Sequence, residues 1–143
     1  MNNRFPIVLL FSLAVFCGCH DSSGIQRFDV RGTVTYDGKP VPAGTIMLTP
    51  SPGNTGPGGY AEIRDGKFDT AEGGRGPTGG PHHVVIQGYD GKASPANELP
   101  MGNALFDPYE TDVNLPTADS QNAFDIPASA IRKPTASGSR GKV

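Results

Sequence analysis

The chain has 143 residues, with 20 glycines, 14 prolines, two cysteines and no tryptophan. That length holds one modest domain and leaves no room for a second large one. Between His20 and Ile131, seven Lys and Arg stand against 14 Asp and Glu, a net charge of −7. An acidic body of this kind argues against nucleic acid as a partner, which calls for a basic face.

The first segment, "MNNRFPIVLLFSLAVFCGCH", carries one cation at Arg4, an apolar run from Ile7 to Phe16, and then Cys-Gly-Cys. A short basic region, an apolar stretch and small residues predict a secretory signal over 1–18. The apolar run is too short for a stable transmembrane helix, which needs ~20 apolar residues. "Phe16-Cys17-Gly18-Cys19" resembles a bacterial lipobox, with Gly18 before the cut and Cys19 as the lipid acceptor. Phe16 stands where Leu is usual, and Cys17 where another small residue is usual. The competing pairing of Cys17 with Cys19 does not easily reach disulfide geometry, and no further cysteine completes a zinc site. Removal of 1–18 leaves 125 residues.

Residues 19–27 then read as anchor and polar tether. "FDVRGTVTYDGKPV" follows, with Val30, Gly32, Val34 and Tyr36 on one face and Arg31, Thr33 and Thr35 on the other. That period of two predicts a strand. Asp37-Gly38 predicts a hairpin turn. "AGTIMLTPS" is a second strand, with Ile46 and Leu48 opposed to Met47. "SPGNTGPGG" is a loop, and "YAEIRDGKFDTA" is two short strands around Asp65-Gly66 with Phe68 as the apolar contact. "EGGRGPTGGP" is a second Gly/Pro loop. "HHVVIQGYDG" is a strand with His82, Val84 and Ile86 on one face. The excursion 90–103 is rich in turn residues. "YETDVNLP" and "NAFDIPA" close the series, and residues 129–143 form a disordered basic tail with Arg132, Lys133, Arg140 and Lys142. Seven short strands separated by turns predict an all-β, seven-stranded antiparallel β-sandwich.

Chemistry-bearing residues are few. His82 and His83 are neighbours on a strand, so they point to opposite faces and do not chelate one metal; His82 is expected in the core and His83 outside. "RDGKFD" offers too few ligands for a calcium loop. The serines lie in loops and in the tail, away from any nucleophile-elbow context. No catalytic residue, metal or cofactor is therefore expected. Stacking on a sugar needs exposed aromatics, and Tyr60, Tyr89 and Tyr109 are the candidate ligand platform; the competing expectation packs them at strand ends with a wet hydroxyl.

"VRGTVTYDGKPVPAGTIMLTP", "IRDGKFDT", "GPTGGPHHVVIQG" and "LFDPYETDVNLPTADSQNAFDIPAS", taken in that order, resemble the carboxypeptidase regulatory-like domain. That domain is a transthyretin-like (prealbumin-like) sandwich. The closer likeness is to small bacterial lipoproteins made of that domain alone, and it spans 28–128, with Asp107 where Pro is common. The resemblance implies a fold and a place at the membrane, and no catalytic residues, since in carboxypeptidases the peptidase centre lies in a separate domain. Hydroxyisourate hydrolase, an enzyme of transthyretin fold, ends in Tyr-Arg-Gly-Ser; this chain ends "SGSRGKV" and departs from it.

The expectation is a non-enzymatic lipoprotein exported to the bacterial envelope. It is held to the membrane by lipid (diacylglycerol and palmitate) on Cys19 and offers its sandwich to an envelope protein. The alternative is a carbohydrate-binding module of the envelope.

Overall fold

Alternation of apolar and polar residues places Val30, Val34, Ile46, Leu48, Ile63, Val84, Ile86 and Ile126 on one side of the sheet, where each is almost fully buried. The computed structural model describes residues 24–130. The predicted signal, Gly18, Cys19 and most of the tail lie outside the described residues.

The chain is all-β. Its strands are β1 (Val30–Tyr36), β2 (Lys39–Pro40), β3 (Ala43–Pro50), β4 (Gly59–Arg64), β5 (Lys67–Asp69), β6 (Gly74–Arg75), β7 (Gly80–Tyr89), β8 (Tyr109–Leu115) and β9 (Ser120–Ile126). The seven strands expected from alternation are all present; β2 and β6 are two-residue additions. The sheet runs β2-β1-β5-β4-β3-β7-β8, with β9 on the other side of β1 and β6 on β4. It curls into a half-barrel around one apolar core.

Antiparallel pairing holds throughout except between β1 and β9, which run parallel from Val30↔Ser120 to Tyr36↔Ile126. Alternation cannot distinguish the two senses, because both leave every second side chain inside. The pair is close. A Cβ at Gly32 would fall 1.7 Å from the Asn122 carbonyl oxygen.

Both Asp-Gly turns are left-handed at each central residue, with φ of 50° and 70° at Asp37 and Gly38, and 49° and 73° at Asp65 and Gly66. This is the primed geometry that matches the twist of flanking strands. The two turns interlock: Gly66 N–H donates to Val41 O at 2.7 Å, and Val34 N–H donates to Gly66 O at 2.9 Å.

The strand expected to run through Thr70 and Ala71 stops at Asp69, and the second Gly/Pro loop that follows has more structure than its composition predicts. Thr70–Gly73 makes one helical turn, α1, capped by Asp69 accepting from Ala71 N–H at 2.9 Å. Thr70 is buried and its Oγ1 accepts from Val30 N–H at 2.9 Å, which ties α1 to β1. The excursion 90–103 is closed at its base. Asp90 Oδ1 accepts from the backbone N–H of Lys92 and of Asn103, each at 3.0 Å, and these bonds hold the Asp90 carboxyl below its ordinary range.

The body also extends past both expected ends. Arg27 donates to Gly58 O at 2.9 Å and Gly76 O at 2.6 Å. Ala130 packs on the core, and its carbonyl accepts from Asp107 N–H.

Candidate functional site

The outward face of the sheet is where side chains are free to meet a partner, and strand register decides which of them stand together. Met47 on β3 is opposite Tyr60 on β4 and opposite Val85 on β7. Tyr60 is in turn opposite Arg75 on β6, and Val85 is opposite Glu110 on β8. One apolar row therefore crosses three strands, with a cation at one end and a carboxylate at the other. Met47 is 56% exposed and Tyr60 54%. The remaining large exposed hydrophobic among the described residues is Ile25, near the first described residue.

The three tyrosines do not form one platform. Tyr109 is opposite Ile86, on the buried side, and packs against the core. Tyr89 does face outward, but it is opposite Ala43. Ala43 lies four residues from Met47 along β3, about 13 Å at strand rise. Tyr60 alone of the three is exposed; Tyr89 and Tyr109 are half-buried.

The adjacent histidines divide as alternation predicts. His82 is fully buried, and its Nδ1–H donates to Gly80 O at 3.0 Å. His83 faces outward beside the apolar row, opposite Thr49 and Asp112. Its Nδ1 lies 2.9 Å from Asp112 Oδ1 and its Nε2 lies 3.5 Å from Glu110 Oε2. The hydrogen bond to Asp112 is the main cause that raises His83 above the ordinary imidazole range, with Glu110 adding to it. Sequence reasoning missed this cluster. Its only signal was Glu110 and Asp112 sharing a period of two on β8, which says nothing of the strand they pair with.

Neither histidine hydrogen-bonds a serine among the described residues. Ser94 Oγ accepts from Asn97 and Ser120 Oγ from Asn122. No group of three or more His, Cys, Asp or Glu suited to a metal ion occurs among the described residues. No described helix is long and apolar enough to cross a membrane.

No family model, curated protein or solved structure matches this chain.

What the geometry offers is a contact surface. A Tyr–Met pair flanked by a half-buried Val supplies apolar area that interfaces favour, and the Arg75 and Glu110 ends supply polarity that orients a partner.

Proposed function

We propose that this chain is a membrane-anchored lipoprotein of the bacterial envelope, carrying a carboxypeptidase regulatory-like domain with a non-enzymatic, protein-binding role. The observation that carries the binding role is the row Tyr60–Met47–Val85, set by register on the outward face, with Tyr60 and Met47 exposed. Contiguous exposed apolar surface rimmed by polar residues is where protein partners dock. The anchoring rests on Gly18 and Cys19 in their lipobox-like context.

Anchoring is tested by the intact mass of the protein extracted from its host's membranes. The expected species begins at Cys19 and carries diacylglycerol; an unmodified chain cut elsewhere rejects the anchor. Binding is tested by a photo-crosslinker at Val85 in the same membranes. A discrete protein adduct that disappears in the Tyr60→Ser, Met47→Ser double variant is expected. An adduct indifferent to both changes, or none at all, rejects the row as the contact.

A further inference from the structure

On the other half of the outward face, over β1, β5 and β4, the sheet and α1 enclose a depression of about 440 Å³. It falls within the ~300–1,000 Å³ range of small-molecule sites. Register again fixes its lining. Thr33 is opposite Lys67, and Lys67 is opposite Arg64. One step along, Arg31 is opposite Asp69 on one side and Gln121 on the other. The wall is the helical turn α1, which contributes Glu72 and Gly73.

The charges are not arranged for stability. Lys67 and Arg64 stand directly opposite one another across strands, a destabilising placement. Arg64 is paired with Glu62 and Asp69 caps α1. Arg31 and Lys67 take no ion-pair partner among the described residues, although Asp69 stands across from Arg31. A guanidinium, the Thr33 hydroxyl and an ammonium thus form a corner of unused donors suited to an oxyanion. A plain anion is nonetheless disfavoured. Glu72 and Asp69 line the same depression, and Arg31 borders Asp29 and Asp119 on its other side. The Thr33–Lys67 row and the Arg31–Asp69 row are two strand residues apart, about 6.6 Å, and the Arg31 side chain starts in the second.

We propose that this depression binds a small zwitterion with separated charges, an ω-amino-acid-like ligand whose carboxylate rests on Arg31, Thr33 and Lys67 and whose ammonium faces Asp69 and Glu72. The carboxylate relieves the Lys67–Arg64 repulsion, while the ammonium offsets the acids that would repel the carboxylate alone. The site lies apart from the Tyr60–Met47 row and does not depend on the proposed anchor or partner.

The test is an amide NMR titration of the full chain in detergent micelles with aminocaproate, whose charged ends span the two rows. Caproate and hexylamine serve as its separate halves. Saturable shifts centred on β1, β5 and α1 are expected with aminocaproate. Each half should bind about tenfold more weakly or worse, the loss expected for one charge-assisted hydrogen bond. Lys67→Gln and, separately, Arg31→Gln should each weaken binding by a similar factor, and Glu72→Gln should weaken aminocaproate but not caproate. All three positions are exposed, so the variants' spectra should otherwise match the parent. Absence of saturable shifts, equal affinity for caproate, or shifts unaffected by Lys67→Gln and Arg31→Gln would each overturn the assignment.

Discussion

Two halves of one outward sheet face differ sharply. Over β3, β4 and β7 the exposed row is apolar, with Tyr60, Met47 and Val85 in line. Over β1, β5 and β4 it is charged and hollowed beneath α1, with Lys67 set against Arg64. β4 contributes to both: Tyr60 to the first and Arg64, four residues later, to the second. The inner face shows no such division, because Ile63 of the same strand joins the one core that serves both halves. A single strand therefore carries two surface chemistries over one shared core. The core constrains only alternate positions and leaves the others to be chosen for contact.

The largest test of this comparison attacks what the halves share. Ile86 is fully buried beneath the apolar half, and Ile86→Ala should cost about 2–5 kcal/mol through lost burial and the cavity left behind. Chemical denaturation should show both halves unfolding in one transition. If the signals of β1 and β5 persisted beyond those of β7, the single shared core would be wrong.

A smaller effect distinguishes the charged half. Replacing Lys67 by Glu turns a like-charge pair into an opposite-charge one and should raise stability by roughly 0.2–1 kcal/mol. It should abolish aminocaproate binding at the same time. A destabilised Lys67→Glu protein would mean that the two cations are not in conflict.

The smallest effect belongs to the rim of the apolar half. His83 is raised above the ordinary imidazole range by its hydrogen bond to Asp112. The charged form is favoured by folding, so its contribution is fully present below the unfolded value and fades as pH rises through the folded one. Melting temperature should fall slightly across that window, and His83→Gln should remove the fall. The ring-proton titration of His83 should have its midpoint above the ordinary value and move down in Asp112→Asn. An unchanged midpoint would show that the carboxylate does not control it.

Much of the fold was legible because alternation reports burial directly. The split of His82 from His83, and of Met47 from Ile46 and Leu48, followed from the period of two alone. Asp37-Gly38 and Asp65-Gly66 announced their turns because an Asp-Gly pair tolerates the positive φ that primed turns need. The helical turn at Thr70–Gly73 was hidden where an expected strand end meets a Gly-rich run. Its support is tertiary: the buried Thr70 hydroxyl holding Val30 N–H. Tyr109 failed as an exposed aromatic for a related reason, since its place opposite Ile86 turns it toward the core.

The sequence by itself determined an all-β chain, the faces of its strands and the sites of its tight turns. These depend on neighbouring residues, and local sterics and burial are enough to set them. The tertiary structure alone decided that β1 and β9 run parallel, that Met47 meets Tyr60, that His83 lies between two carboxylates, and that Lys67 confronts Arg64. Each of these is a pairing between strands. Register between strands is fixed by the collective packing of the core, and no short stretch of sequence contains it.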